Sequence, residues 1–352
     1  MHDVFEGVLS YDIPLICASL VKRGHLSLAI LNHRLQNFHY GYHDVTNRPP
    51  VLSSLDMEML PFDAGQSWCI TRVLALAVGD LVPEDDDVWL FYLLLRDVVD
   101  IIVAPSVSVE HLNQMRTLVG EYLELRKLLF PDHVLKNKHH HLTHYASLTE
   151  KVGPLQRFSC MRFESKHQRS KKLLHISGNF KNVAKTCAFR HQHDMCFRLL
   201  RSKESSSDVV VGTGSVITLS ELDDGFEINN CLGGIGTKIE LFDANWVEIR
   251  GIRYKPGCVV IAGMESDNNC PVFVDFEHIL VRNHGEFLWI VGGKLPAQYF
   301  SSHYHAWSVQ KCLPKILMSV SNTSFTYFTP LTLNSKVCSG ETMLWISLRH
   351  HF

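Results

Sequence analysis

The hydrophobic pattern of the chain changes its period near residue 203, and this change limits the fold more than any other feature. Before it, apolar residues recur at helical spacing, as at Leu112, Met115 and Val119. After the serine-rich run Ser202–Ser207, short β-branched and aromatic stretches alternate with turn residues. We therefore expect an α+β protein with a mostly helical part over residues 1–203 and a β-rich part over residues 204–352.

The β-rich part contains seven segments with the composition of strands. Turn sequences such as Asp223-Asp224-Gly225 and Lys255-Pro256-Gly257 separate them. Short strands at intervals of about ten residues favour a small antiparallel barrel or sandwich. The segments are Val209–Val211, Lys238–Phe242, Trp246–Ile249, Val259–Ala262, Pro271–Phe276, Ile279–Val281 and Phe287–Val291.

Composition indicates a globular protein of an intracellular, reducing compartment. Of the 352 residues 46% are hydrophobic and 20% are charged, which suits a chain with a sizeable core. The ten cysteines form no C-x-x-C pair, so we expect reduced thiols. The apolar run Val88–Leu95 is far shorter than the roughly 20 residues that span a bilayer, and it predicts a buried helix.

Positive charge is concentrated in one segment. The net charge of the chain is −2, yet the segment Arg157–Arg201, called here the basic segment, contains 11 Lys or Arg residues and two acidic residues. Such a run suits contacts with nucleic-acid phosphates, although a solvated surface gives the same composition. The candidate phosphate-binding residues are Arg157, Arg162, Lys166, Arg169, Lys171 and Lys172.

Four histidines lie within the six residues His139–His144. On a helix, His140 and His144 project from one face, with about 5–6 Å between Cβ atoms, and this spacing suits two zinc ligands. The alternative is a solvated polar turn. Near the start of the chain, Asp3 fits the N-cap of a helix that begins at Val4.

Glu164 lies among Arg162, Lys166 and Arg169. A carboxylate in a basic environment can hold a metal ion beside a phosphate backbone, because the cation neutralises the acid and polarises the phosphate. An ordinary surface pairing with a neighbouring Lys or Arg is the alternative.

The order and spacing of three motifs resemble the C-terminal part of CACTA-type (En/Spm-like) transposases. The motifs are Met1-His2-Asp3-Val4-Phe5-Glu6-Gly7, His139-His140-His141-Leu142-Thr143-His144-Tyr145 and Cys160-Met161-Arg162-Phe163-Glu164-Ser165-Lys166-His167. Asn179-Phe180-Lys181-Asn182-Val183 and, further on, Ser302-His303-Tyr304-His305-Ala306-Trp307 are similar to segments of the animal members. The resemblance thus extends over nearly the whole chain.

The resemblance implies a fold and a set of site residues. The family is related to the V(D)J recombinase catalytic subunit, whose RNase H-like domain uses two Asp and one Glu and has a helical insertion, held by zinc, before the Glu. It implies that the helical part is a remnant of such a domain, that His2, His140 and His144 are zinc ligands, and that Glu164 is the third catalytic acid.

The start of the chain departs from the family pattern. A fourth zinc ligand, three residues before His2, and both catalytic aspartates would precede Met1. Glu164 alone cannot hold the two metal ions of phosphoryl transfer. We therefore expect a truncated, inactive derivative with a weak, incomplete structural Zn²⁺ site. Mg²⁺ would serve only the intact ancestral enzyme, and the expected partner is DNA in the nucleus.

Two other functions are compatible with the sequence. The β-rich part could be a protein-interaction module with an aromatic pocket, although aromatic residues in a small barrel commonly form its core. The candidate aromatic residues are Trp246, Tyr254, Phe273, Phe276, Trp289 and Trp307. A zinc hydrolase is disfavoured because the H-E-x-x-H motif is absent from the sequence.

Overall fold

A computed structural model describes residues 2–160, 167, 170–176, 178, 181–202, 209–249, 251–265, 270–282, 287–319, 330–338 and 340–350. In the helical part the elements are a π-helical turn Val4–Val8, α1 (Leu9–Lys22), α2 (Leu28–Gln36), α3 (Gly41–Asp44), α4 (Ala64–Val78), α5 (Asp87–Ile102), α6 (Val109–Leu129), α7 (Asn137–Val152) and α8 (Val183–Ser202). Residues 170–176 are also helical. The first half of the chain is therefore helical, as its apolar period predicts.

Capping side chains determine where several helices begin. The Asp63 carboxylate accepts a hydrogen bond from Gln66 N at the start of α4, and Ser108 Oγ accepts one from His111 N at the start of α6. Asp86 accepts from two backbone amides at the start of α5. These bonds satisfy N–H groups that have no partner within the helix.

Helix α5 is central to the core of the helical part. Its residues Trp89, Phe91 and Tyr92 are fully buried, which confirms the buried helix predicted at Val88–Leu95. It packs against α1 and α6. The segment Val4–Lys22 is long and apolar enough to cross a membrane, with a mean hydropathy of 1.6, but 67% of it is buried within this core.

The second half of the chain consists mainly of antiparallel strands. A three-stranded sheet has the order β1-β4-β5, and a larger curled sheet has the order β11-β12-β9-β8-β7-β3-β2, with β10 on β8 and β6 on β7. The strands are β1 (Val209–Val211), β2 (Gly214–Thr218), β3 (Glu240–Ala244), β4 (Val247–Ile249), β5 (Ile252–Tyr254), β6 (Val259–Met264), β7 (Pro271–Arg282), β8 (Phe287–Ser301), β9 (Ala306–Val309), β10 (Cys312–Ser319), β11 (Leu333–Cys338) and β12 (Glu341–Ile346). A short helix, α9 (Gly225–Cys231), precedes β3.

The architecture confirms the α+β prediction and refines the β-rich part. The large sheet forms an open half-barrel. The two strands predicted at Pro271–Phe276 and Ile279–Val281 are one strand, β7, whose pairing with β8 shifts register between Phe276 and His278. An irregularity of this kind reverses the inward and outward alternation of side chains, so that the sequence pattern of one strand resembles two.

The β-rich part packs directly on the helical part. Trp345 of β12 is buried with Leu76 of α4 and Ala306 of β9. Trp89 Nε1 of α5 donates a hydrogen bond to His303 Nδ1 at 3.0 Å, and Arg96 donates one to the Leu348 carbonyl at 2.6 Å. Helices α4 and α5 therefore support the edge of the half-barrel.

Candidate functional site

The predicted histidine pair lies on the exposed face of α7. The Nε2 atoms of His140 and His144 are 3.2 Å apart, and their ring centroids are 4.9 Å apart. Two nitrogens on a tetrahedral zinc ion, each about 2.0–2.1 Å from the metal, are separated by about 3.3 Å. The pair therefore has the spacing of a two-histidine chelate.

The N-terminal turn lies against the same helix. His141 Nδ1 is 3.1 Å from Asp3 Oδ2, and the hydroxyl of Tyr145 donates to that oxygen at 3.4 Å. Burial, together with the charge of Asp3, raises the pKa of Tyr145 and keeps its hydroxyl a donor. Asp3 is at the predicted N-cap position, but its carboxylate makes no capping hydrogen bond and contacts α7 instead.

Two of the three predicted zinc ligands come together. His2 Nδ1 lies 2.6 Å from Glu6 Oε2, so this imidazole pairs within its own turn. Within the described ranges, no group of three or more His, Cys, Asp or Glu side chains is arranged to hold a metal ion. The participation of His2 in a zinc site remains a prediction.

His139, the first residue of the histidine run, points into the core. Its Nδ1 accepts a hydrogen bond from the Lys136 amide at 3.1 Å, so the ring proton is on Nε2, which faces Asp12 Oδ1 at 3.3 Å. Asp12 also accepts from Arg126 Nε at 2.9 Å and from the hydroxyl of Tyr122. All four side chains are buried.

This buried network connects α1, α6 and α7 and thereby fixes the orientation of α7. His140 and His144 are consequently held on the outer face of the helix. Periodicity could have indicated that one histidine of the run faces inward, because Leu142 and Ala146, both apolar and buried, lie three and seven residues after His139.

The basic segment is exposed wherever the structure describes its candidate residues. Arg157, Lys171 and Lys172 are on the surface. The other candidate phosphate-binding residues, Arg162, Lys166 and Arg169, and the candidate catalytic residue Glu164 lie outside the described residues. The structure thus provides part of a basic surface and leaves the roles of these four residues as predictions.

Helix α8 is the main feature of this segment that residue counting did not reveal. It is exposed along most of its length, and its large apolar side chains include Phe189 and Phe197, which are 58% and 60% exposed. Between α8 and residues 170–176 lies a groove of about 730 Å³ lined by Leu173, Cys187 and Arg190 among others. Cationic and apolar groups therefore share one accessible surface.

The six candidate aromatic residues of the β-rich part do not form an exposed pocket. Tyr254, Phe273 and Phe276 are buried in its core. Trp246, Trp289 and Trp307 are half-buried, and the guanidinium of Arg253 covers the Trp246 ring at 4.1 Å. This arrangement disfavours an aromatic recognition pocket and favours the packing role that such residues commonly have.

Nine cysteines have side chains that the structure describes, and all nine are free thiols.

Comparison with protein-family models, with curated proteins and with solved structures finds no match to this chain.

Proposed function

We propose that this chain is a transposase-derived protein that binds nucleic acid through its basic segment. The observation that carries the proposal is α8, an exposed helix with cations and large apolar side chains on its surface. The order of the motifs around His2, His140 and Glu164 supports a CACTA-type origin and an RNase H-like ancestry of the helical part. Glu164 is then an inherited catalytic position, and the proposal includes a nuclear location.

Charge favours a polyanionic partner for this surface. In sequence, α8 contains Lys185, Arg190, Arg198 and Arg201 against the single acid Asp194. Lys171 and Lys172 are two further exposed cations, on the helical segment 170–176, whose Ser170 and Leu173 line the groove. A nucleic acid neutralises such a surface and releases its condensed counterions, which is favourable at low salt.

Replacing Lys171, Lys172 and Lys185 by Gln should weaken binding of a labelled DNA duplex by roughly 100- to 500-fold at 0.1 M salt. Each lost phosphate contact lowers the slope of log K against log salt by about 0.9, so the triple variant should lose about 2.7 of that slope. Fluorescence anisotropy over a salt series measures both quantities.

A matched control removes the same charge elsewhere on the surface. Lys22, Lys127 and Lys238 are exposed and lie outside the basic segment. Their replacement by Gln should leave the affinity and the salt slope nearly unchanged. Equal losses in the two triple variants would mean that net charge, and not the basic segment, determines binding.

A zinc site on the N-terminal half of α7 is a second proposal, favoured by the 3.2 Å separation of the His140 and His144 Nε2 atoms. The family resemblance adds His2 as a third ligand. His140 and His144 fit a chelate of two imidazoles. With His2 as third ligand, the zinc ion would hold α7 and the N-terminal turn together.

His140→Ala and His144→Ala should each weaken Zn²⁺ binding at least roughly tenfold, since each removes one ligand of the pair. Competition with a chelating dye gives the affinity. His33→Ala, an exposed histidine on α2, is the control and should bind zinc like the parent chain. If His2→Ala also binds zinc like the parent chain, the assignment of the third ligand is wrong.

A further inference from the structure

Four side chains form a stripe along α8 at intervals of one helical turn. Lys185, Phe189, His193 and Phe197 are each four residues apart, so that successive members are separated by about 6 Å along the helix axis. Both phenylalanine rings are more than half exposed, and His193 is also on the surface. The stripe is an accessible row of flat rings that begins at a cation.

The cation and the first two rings of the stripe lie one after another along the helix. Lys185 Nζ lies 6.0 Å from the centroid of the Phe189 ring. The Phe189 and His193 centroids are 6.2 Å apart, with an angle of 28° between the ring planes. Ring faces that run in sequence beside a cation are the arrangement on which successive bases stack while phosphates are neutralised.

We infer that α8 binds unpaired nucleotides, whose bases stack on Phe189 and Phe197 while Lys185 and Arg190 contact the flanking phosphates. This inference rests on the proposed nucleic-acid binding and names its substrate class. In a duplex both faces of each base are covered by neighbouring pairs, so exposed phenylalanine rings gain little from it. A single strand offers the faces of its bases without that cost.

The charge of the helix also argues against a second copy of the chain as the occupant. Lys185 and Arg190 are exposed on α8, so two such helices placed face to face would bring like charges together. A strand of nucleic acid supplies flat apolar groups and negative charge at once. It is therefore the occupant that satisfies both properties of the stripe.

The test is a double variant, Phe189→Leu with Phe197→Leu, which keeps apolar side chains on an exposed helix and removes the ring faces. The probes are a 20-nucleotide single strand, a duplex of the same length and a 20-unit abasic strand with the same phosphates. The parent chain should bind the single strand roughly tenfold more tightly than the abasic strand, and the double variant should lose that preference. The double variant should bind the duplex with the same affinity as the parent chain.

Two controls separate ring stacking from other effects. Phe189→Tyr with Phe197→Tyr keeps both rings and should bind the single strand like the parent chain. Phe226→Leu removes an exposed phenylalanine of α9, in the β-rich part, and should change nothing. Far-ultraviolet circular dichroism of each variant checks that helix content is retained.

The possible results have distinct meanings. Equal affinity for the single strand and the abasic strand, or full binding by the leucine variant, overturns the inference and leaves phosphate binding intact. Failure of the parent chain to bind any probe sinks the proposed function itself. Sedimentation that shows a dimer for the parent chain and a monomer for the leucine variant would make the stripe an interface between copies, which also overturns the inference.

Discussion

Asp12→Asn should lower the free energy of unfolding by about 3–5 kcal/mol, because it removes the charge that compensates a buried arginine. Arg126 is 2% exposed and donates from Nε to Asp12 Oδ1 at 2.9 Å. Asn keeps nearly the shape of Asp but leaves the guanidinium with no counter-charge within the network. The Tyr122 hydroxyl and the His139 Nε2–H lose their anionic acceptor at the same time.

Urea denaturation at neutral pH measures this effect. The control is Glu150→Gln, which removes an ion pair of similar length, 2.8 Å to Arg116, between two exposed side chains. That change should cost less than about 1 kcal/mol. A double variant, Asp12→Leu with Arg126→Met, replaces the buried charges by apolar groups and should recover much of the loss. If Asp12→Asn costs no more than Glu150→Gln, the network does not hold α7 in place.

The same network shows which part of the site could be predicted from the sequence. The pairing of His140 with His144 depends on the helical repeat alone, and the spacing of four residues was sufficient to predict it. The pairing of His139 with Asp12 joins residues 127 positions apart, and it depends on how α1 packs against α7. Local periodicity contains no information about which buried acid meets which buried base.

The β-rich part illustrates a second limit. Turn residues and β-branched runs located β1, β3, β4, β6, β7 and β8, because both signals are local, but they missed β2, β5 and β9 to β12. The division of β7 into two predicted strands was wrong, since a shift in register changes the alternation without ending the strand. Strand β8 continues through Gly292 and Gly293 because its neighbours β7 and β10 supply hydrogen-bond partners there, which composition cannot show.

The basic segment illustrates a third limit, which concerns the exposure of side chains. Counting charges identified the segment from the sequence but contained no information on which side chains α8 presents to solvent. In the structure, Phe189 and Phe197 of α8 are more than half exposed. Whether an amphipathic face is covered depends on the elements around it, and sequence pattern does not specify them.

The last prediction concerns the contact between the helical part and the β-rich part. Asp44 of α3 accepts from both terminal nitrogens of Arg72, at 2.7 and 3.0 Å, and from Arg349, after β12, at 2.8 Å. Burial and the neighbouring charge of Arg72 lower the pKa of Arg349 to about 10, and the charge of Asp44 opposes this shift. Asp44→Asn leaves two buried cations side by side.

We expect Asp44→Asn to lower the free energy of unfolding at pH 7 by about 3–5 kcal/mol and to increase hydrogen exchange in β12. The control is Asp97→Asn, because Asp97 bonds His305 across the same contact at 2.8 Å but its side chain is 50% exposed. That variant should lose less than about 1 kcal/mol. Equal losses would mean that the charge of Asp44 does not hold the two parts together.

The pH dependence gives this prediction a second, independent check. Burial opposes ionisation of Asp44, but the charge and hydrogen bonds of Arg72 outweigh it, so the pKa of Asp44 lies below its ordinary value. Its stabilising contribution is therefore complete above the unfolded pKa of about 3.9, and it is lost as the pH falls through the lower pKa of the folded protein. Asn does not titrate, so the stability difference between the parent chain and Asp44→Asn should shrink below about pH 4. A difference that stays constant down to pH 2 would show that the effect of the substitution is not electrostatic.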